Sequence, residues 1–321
     1  MGDFMLGDDF PTNLIEFEKR FGTEEQCRDH LYRSKFTQGF ICPKCGKKEF
    51  WWTARSLMHC KFCHHQESLR TGTVFEGSKK PLKIWYKTLY FVALNKNGIS
   101  ALALKRMMGF GSYQTAWAWL HKIRGMMKRS GREKLVGTVE VDETYLGGPK
   151  PGKRGRGAEG KALICIALEK KEGDPKPGRV RMEVIPDACG ETISNFVLRN
   201  VEMGATIRSD GLPSYRNLSE IGYQHDRVIE DKKKPESMMP ALHLVISLAK
   251  RWIIGTMQGR ISEKHLPIYL DEFVFRFNRR TSKNRGKIFY RLLDQCITSS
   301  PLPYWKIIGR VAADQPLAAS A

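Results

Sequence analysis

The spacing of apolar positions changes near residue 134, from a helical period to the alternation typical of strands. Upstream of that point, residues 13–21 have helical spacing and Thr23 is the expected N-cap of a second helix. Short extended runs follow, and residues 81–130 then have helical spacing throughout. The pattern predicts helices and a small ribbon first, and an α/β domain after them.

Three helices are predicted between residues 81 and 130, the second capped by Ser100 and the third by Ser112. Helix, short glycine-containing turn and helix is the helix-turn-helix pattern of DNA-binding segments, and a plain three-helix bundle is the alternative. On the third helix, the residues expected to face DNA are Tyr113, Gln114, Trp117, His121, Lys122 and Arg124.

The second part of the chain contains three strand patterns, a helix and a fourth strand, in that order. The strands are predicted over residues 135–142, 162–168, 179–185 and 205–210, and the helix over 191–201. This is the order of a ribonuclease-H-like fold, an α/β architecture with a mixed five-stranded sheet. In that fold a carboxylate on the central first strand lies beside another at the end of the fourth.

Two aspartates, Asp142 and Asp210, end the first and the fourth of these strand patterns. Juxtaposed carboxylates repel each other unless a divalent cation lies between them, so the pair predicts a cation site. Because side chains alternate along a strand, Glu140 shares a face with Asp142 and is the alternative ligand there. For Asp210, which Gly211 follows, a turn-capping role is the alternative.

A third ligand is expected from the helix predicted over residues 240–252. The residues along one face of that helix are His243, Ser247, Lys250 and Arg251. His243 would face a metal ion while the cations that follow face phosphate. An ordinary polar helix position is the alternative for His243, and Glu236 is the rival ligand.

The net charge of +20, from 54 Lys and Arg against 34 Asp and Glu, favours a polyanionic partner. Nucleic acid fits better than a membrane surface, because no basic amphipathic helix stands out and no apolar run approaches the ~20 residues that span a bilayer. The first residues lack the basic flank and apolar run of a signal peptide, so a cytoplasmic protein is expected.

Four of the eight cysteines form two CxxC pairs, Cys42/Cys45 and Cys60/Cys63. Two such knuckles facing each other make a tetrahedral site of four thiolates, which suits a structural zinc ion. Short extended runs between the pairs are expected to pair as a ribbon. Histidines lie close by, so three thiolates and one imidazole is the alternative ligand set.

Taken together, these segments resemble the bacterial insertion-sequence transposases of the DDE superfamily, in the group with an N-terminal zinc ribbon and an ISXO-like transposase domain. The resemblance covers about residues 10–295 and includes the two cysteine pairs. The other matching motifs are RTGTVF at 70–75, VDETYLGG at 141–148, SDG at 209–211 and HLPIYLDEFVFRFN at 265–278.

The resemblance implies two-metal phosphoryl transfer, in which water cleaves the transposon end and the 3′-hydroxyl is joined to target DNA. Asp142 and Asp210 are similar to the two catalytic aspartates of the family, and Lys250 to the lysine seven residues after the third ligand. His243 stands where the family usually has glutamate. The three ligands imply Mg²⁺ or Mn²⁺, and the softer imidazole favours manganese.

Double-stranded DNA, as transposon ends and as target, is the implied partner, with a homodimer or higher multimer assembling on it at the bacterial nucleoid. The stretch over residues 147–161 is basic and glycine-rich, which suits a loop that follows phosphates, and a solvated hairpin is the alternative. The predicted DNA contacts are Lys150, Lys153, Arg154 and Arg156 in this loop, Gln114, Lys122 and Arg124 upstream, and Arg251.

Four segments are predicted from these patterns. They are N-terminal helices and zinc ribbon over 1–78, a helix-turn-helix-like segment over 79–132, the catalytic domain over 133–298 and a tail over 299–321. Three other functions remain open: an inactive DNA-binding regulator derived from a transposase, which His243 favours, a different nuclease such as a junction resolvase, and a structural RNA-binding protein.

Overall fold

The computed structural model describes residues 10–128, 131–147, 161–171, 173, 176–228, 239–257 and 261–309. Among them the helices are α1 (Leu14–Phe21), α2 (Glu24–Lys35), α3 (Leu82–Leu94), α4 (Ala101–Met108), α5 (Tyr113–Gly125), α6 (Gly190–Asn200), α7 (Pro240–Gly255), α8 (Leu266–Phe277), α9 (Arg285–Thr298) and α10 (Tyr304–Ile308). The strands are β1 (Phe50–Trp52), β2 (Leu57–Cys60), β3 (Gln66–Ser68), β4 (Thr138–Leu146), β5 (Ala162–Lys170), β6 (Pro177–Ile185), β7 (Thr206–Ser209) and β8 (Gln224–Arg227). A 3-10 helix spans Pro213–Leu218.

Several predicted positions lie outside the described residues. They are the loop residues Lys150, Lys153, Arg154 and Arg156, the rival ligand Glu236, and the tail from residue 310 onward.

The chain divides into two compact units, one of residues 1–127 with 282–321 and one of residues 128–281. The predicted catalytic domain extended to residue 298, but α9 belongs to the first unit. The reason is aromatic packing: Phe289 of α9 makes edge contacts with Phe17 and Tyr90, at ring-centroid distances of 5.5 and 5.6 Å. The second unit therefore ends at Thr281, before the predicted boundary at residue 298.

Side-chain caps start the helices of the first unit where the sequence predicts them. Thr23 and Gln26 form a capping box at α2, and the hydroxyls of Ser100 and Ser112 accept from backbone N–H groups at α4 and α5. Gly109 ends α4 in the left-handed conformation, with φ 63°, which glycine adopts at low cost. The helix–turn–helix succession is therefore present, and α5 ends at Gly125 although the helical spacing continues to residue 130.

The second unit is built on a mixed five-stranded sheet in the order β6-β5-β4-β7-β8. Strands β4, β5 and β6 pair antiparallel, whereas β7 pairs parallel with both β4 and β8. The first strand is central, as the ribonuclease-H-like order predicts. One expectation was wrong: Asp142 does not end its strand, because β5 pairs with β4 as far as Leu146.

Helices cover both faces of this sheet, so each face has its own apolar core. One core joins residues of β5 and β6 to α7 and α8, and includes Leu242 and Phe273. The other joins Val139 and Val141 to α6 and the 3-10 helix, and includes Phe196 and Tyr215. Since side chains alternate along β4, Glu140 and Asp142 point to the face that α7 covers.

Candidate active site

The register of β4 and β7 brings the two predicted aspartates together. The last paired residues are Glu140 and Arg208, and two positions further along each strand come Asp142 and Asp210. Neighbouring strands lie about 4.8 Å apart, so the two side chains leave the sheet next to each other. Burial raises the pKa of Asp142, and the Asp210 carboxylate raises it further. The two acids are therefore electrostatically coupled.

His243 approaches the same place from the first turn of α7. Its Nε2 lies 3.6 Å from Oδ2 of Asp142, and its side chain is 48% exposed whereas that of Asp142 is 19% exposed. The charge of the imidazole lowers the pKa of Asp142, against the effects of burial and Asp210. The structure thus places Asp142 next to Asp210 and His243, the other two predicted ligands.

Glu140, the alternative ligand on β4, lies beneath the start of α7 instead. It is 2% exposed, and the backbone N–H of Leu242 is in hydrogen-bonding reach of its carboxylate. Burial raises the pKa of Glu140, while Lys170 and Arg208 lower it. Within the described residues its Oε2 has no hydrogen-bond partner. Glu140 therefore anchors the turn that carries His243.

The oxygens of the two aspartates are partly engaged by backbone. Oδ1 of Asp142 accepts from Glu143 N at 2.8 Å, and Oδ1 of Asp210 accepts from Leu212 N at 3.1 Å. The turn-capping alternative for Asp210 is thus present in the structure. It occupies one of its two oxygens, and a carboxylate can serve a turn and a cation together.

The donor set suits a hard divalent cation. The two carboxylates are ligands that Mg²⁺ and Mn²⁺ prefer, and the one imidazole is a softer ligand. Among the described residues, the group of ligand atoms lying within 4.8 Å of one another is the four cysteines, so Asp142, Asp210 and His243 are spread more widely than that.

The exposed face of α7 carries the cations predicted for it. His243, Ser247, Lys250 and Arg251 are all exposed, whereas Leu242, Val245, Ile246, Ala249 and Ile253 are buried. The helical period separates the two sets, as the sequence predicts. Lys250 and Arg251 therefore lie on the same side of the helix as His243, about two turns further along.

Three residues without a predicted role support the Asp210 turn. Tyr215 donates to Oε1 of Glu143 at 2.5 Å, and Arg227 donates to the carbonyl of Gly211 at 3.2 Å. A glutamate next to Asp142 and a tyrosine five positions after Asp210 give no sequence signal for this contact, because their pairing depends on the arrangement of the sheet.

The four predicted zinc ligands converge in the first unit. Sγ of Cys42 lies 3.5 Å from Sγ of Cys63, and Sγ of Cys45 lies 3.6 Å from Sγ of Cys60. A tetrahedral zinc site with Zn–S bonds of about 2.3 Å needs sulfur separations of about 3.8 Å. The cluster fits structural zinc.

The neighbouring histidines have other contacts. Nε2 of His59 lies 3.3 Å from Nδ1 of His64, and the His59 ring stacks on Trp51 at 4.1 Å. The four-cysteine set is therefore the one assembled here. The ribbon around it is the antiparallel sheet β1-β2-β3, of which the sequence predicted the first two strands.

The helix-turn-helix segment offers fewer DNA contacts than predicted. Gln114 is exposed and Lys122 is half-buried, with burial lowering the pKa of its amine. Arg124 is buried and donates to the Ile99 carbonyl at 3.4 Å, and His121 is buried as well. These two positions share the stripe of α5 that faces the helical core, so neither side chain is exposed for contact with DNA in this structure.

Two family models match the chain. Residues 134–278 match an ISXO2-like transposase domain, and residues 22–66 match a transposase zinc-ribbon domain. A curated relative, the uncharacterized protein in transposable element ISH50 of Halobacterium salinarum, is 25% identical over 295 residues, which are 84% of this chain and 95% of that protein. No helix in the described ranges has the length and apolar character needed to cross a membrane.

Solved structures of integrases and transposases show distant likeness. The catalytic core domain of BIV integrase is 16% identical, covering 48% of this chain and 93% of its own, with a TM-score of 0.31. A simian T-cell lymphotropic virus intasome, bound to a PP2A regulatory subunit, is 9% identical, covering 73% and 80%, with a TM-score of 0.31. The pre-cleavage Mos1 transpososome is 12% identical, covering 71% and 82%, with a TM-score of 0.27.

Proposed function

Because the chain belongs to the IS1595-type transposase family, we propose that it cleaves and joins DNA strands at insertion-sequence ends by metal-dependent phosphoryl transfer. The observation that supports this proposal most directly is the position of Asp142. It lies beside Asp210 where the pairing of β4 with β7 ends, and its Oδ2 is 3.6 Å from Nε2 of His243. A ribonuclease-H-like sheet supplies the frame on which they meet.

Asp142 takes the central place in this proposal, since it adjoins both other ligands. Asp142, Asp210 and His243 would together hold the divalent ions. Bound there, two divalent ions would activate the attacking water or 3′-hydroxyl and neutralise charge on the leaving oxygen.

The protein's other residues would orient the DNA. Lys250 and Arg251, exposed on the His243 side of α7, are placed to bind the phosphates that flank the reacting one. Glu140 keeps the first turn of α7 against β4 and so keeps His243 beside Asp142. The surplus of 20 positive charges would hold a long polyanion through many such contacts.

The proposed partners are double-stranded transposon ends and target DNA, held by a dimer or higher multimer. The zinc ribbon and the α4–α5 pair are the proposed end-binding parts, with Gln114 and Lys122 as candidate contacts. The basic residues Lys150, Lys153, Arg154 and Arg156 are proposed, from the sequence, to contact the phosphate backbone.

The experiment that tests this function is strand cleavage and joining on DNA that carries the ends of the insertion sequence. Asp142→Asn should lower cleavage about 100-fold or more while DNA binding stays at the wild-type level. Asp226→Asn is the matched control, because Asp226 lies at the exposed edge of the same sheet and its substitution makes the same charge change.

Retained cleavage in Asp142→Asn would contradict the proposal. Wild-type protein that binds these ends but neither cleaves nor joins them would favour the inactive regulator. Cleavage without joining would instead favour a simple nuclease.

A further inference from the structure

The hydrogen bond between Tyr215 and Glu143 connects the two strands beyond the point where their backbones pair. Pairing of β4 with β7 extends to Glu140 and Arg208. Glu143 follows Asp142 directly, and Tyr215 lies five residues after Asp210. The contact between them, at 2.5 Å, therefore joins the segment that carries one catalytic candidate to the segment that carries the other.

The contact is built to be rigid. Tyr215 is fully buried in the core between the sheet and α6, and its hydroxyl donates to a carboxylate, which makes the bond charge-assisted. The neighbouring Ser214 hydroxyl donates to the Ala188 carbonyl at 2.6 Å. Burial raises the pKa of Tyr215 and so keeps the phenol protonated as a donor.

The chain between Asp210 and Tyr215 is short and internally bonded. Leu212 N donates to Asp210 at 3.1 Å, and the 3-10 helix begins at Pro213. A fixed Tyr215 therefore fixes the position of the Asp210 carboxylate. Asp142 and Asp210 repel each other without a cation between them. A restraint that holds the two carboxylates at a fixed separation would therefore favour binding of a divalent cation.

We propose that Tyr215 and Glu143 are positioning residues that set the separation of Asp142 and Asp210 for divalent-ion binding. This inference rests on the proposed function of those aspartates. The pair acts from the opposite face of the sheet, since Glu143 alternates with Asp142 along β4. Residues that orient metal ligands in this way typically change ion affinity about 10- to 100-fold when they are replaced.

The test is Mn²⁺ binding to the zinc-loaded full chain, measured by electron paramagnetic resonance, for wild type and Tyr215→Phe. The phenylalanine keeps the buried ring and removes the donor. The dissociation constant for Mn²⁺ should rise about 10-fold or more. The Mn²⁺ concentration for half-maximal cleavage should rise equally, while cleavage at saturating Mn²⁺ stays near the wild-type rate.

Tyr223→Phe is the matched control. Tyr223 lies in the same core and donates its hydroxyl to the Val201 carbonyl at 3.1 Å, away from the Asp210 turn. Both substitutions delete one buried phenol hydrogen bond, so they should lower thermal stability similarly. Only Tyr215→Phe should weaken Mn²⁺ binding, and equal Mn²⁺ affinity in the two variants would overturn the inference.

Substitutions of Glu143 extend the test and replace it if Tyr215→Phe does not fold. Glu143→Gln keeps an oxygen that accepts from Tyr215 and should shift Mn²⁺ affinity little, whereas Glu143→Leu removes it and should weaken binding. Equal affinities in these two variants would also overturn the inference. If the wild-type protein binds no Mn²⁺ and cleaves no DNA, both the proposed function and the inference are refuted. If the wild type is active and Tyr215→Phe binds Mn²⁺ with wild-type affinity, the inference alone is refuted.

Discussion

Three acids near the middle of β4 have three different environments. Glu140 is buried under the first turn of α7, Asp142 faces His243 with part of its surface open, and Glu143 binds Tyr215 on the other face. Strand alternation predicts which of them share a face, but it does not predict what covers each face. Acidic side chains therefore serve as anchor, candidate ligand and candidate positioning group within four positions.

Asp271 on α8 provides a residue-scale prediction about stability. Burial raises its pKa to about 6, against the lowering effects of Lys128 and Arg132. The unfolded chain ionises this acid near pH 4, so the folded state is progressively disfavoured as pH rises from about 4 to 6. Asp271→Asn should raise the free energy of unfolding by about 1–3 kcal/mol at pH 7.5, and by less at pH 5.

Hydrogen exchange of β5 amides in urea at the two pH values measures this effect in the second unit. Asp226→Asn, at the exposed edge of the sheet, should show no such pH-dependent gain. An equal gain for Asp271→Asn at pH 5 and at pH 7.5 would show that ionisation is not the cause.

At the residue scale, contacts between residues far apart in sequence could be predicted only in part. Asp142 and Asp210 could be paired from the sequence because a family-like strand order brings their strands together. Tyr215 and Glu143 could not, since neither has a local pattern that points to the other. Arg124 illustrates the converse: its charge favoured DNA, but the helical period places it in the core.

At the scale of elements, the first residues of helices were predicted from the sequence more accurately than the last residues of helices and strands. Thr23, Ser100 and Ser112 mark helix starts through local hydrogen bonds, which a sequence displays directly. The ends of α5 and β4 depend on what packs against them, so both differed from the pattern. Strand β3 was missed because its three residues pair only through β2.

The start of α3 shows a cap supplied from a distance. Pro81 provides no capping side chain, and Glu24 of α2 takes that role, accepting from Leu82 N at 2.8 Å and from Lys83 N at 2.9 Å. Arg70, in the RTGTVF motif, also binds Glu24 and holds the Ser78 and Lys80 carbonyls. A carboxylate 58 residues upstream thus orders the entry into the helical segment.

Glu24→Ala should therefore lower the free energy of unfolding of the zinc-loaded protein by about 1–2 kcal/mol, because two helix N–H groups lose their acceptor. Glu25→Ala is the matched control, since the exposed Glu25 carboxylate forms an ion pair with the neighbouring Arg28, and its loss should cost about 0.5 kcal/mol or less. Thermal unfolding of both variants measures the difference. Equal effects would mean that the cap does not stabilise α3.

At the scale of the molecule, charge and ligand chemistry point to one activity. A chain with a surplus of 20 positive charges carries a four-cysteine zinc ribbon in one unit and a cluster of two aspartates and a histidine in the other. The matches to a transposase zinc ribbon and a transposase domain cover these same two regions. The proposed activity depends on His243, which stands where the family resemblance implies a glutamate.

The most direct measurement is cleavage of insertion-sequence ends in Mg²⁺ or Mn²⁺ by the wild type, His243→Glu and His243→Ala. If His243 is a metal ligand, the wild type should prefer Mn²⁺, the glutamate should shift the preference toward Mg²⁺, and the alanine should lose about 100-fold or more with either ion. Wild-type rates and an unchanged ion preference in His243→Ala would contradict the three-residue site.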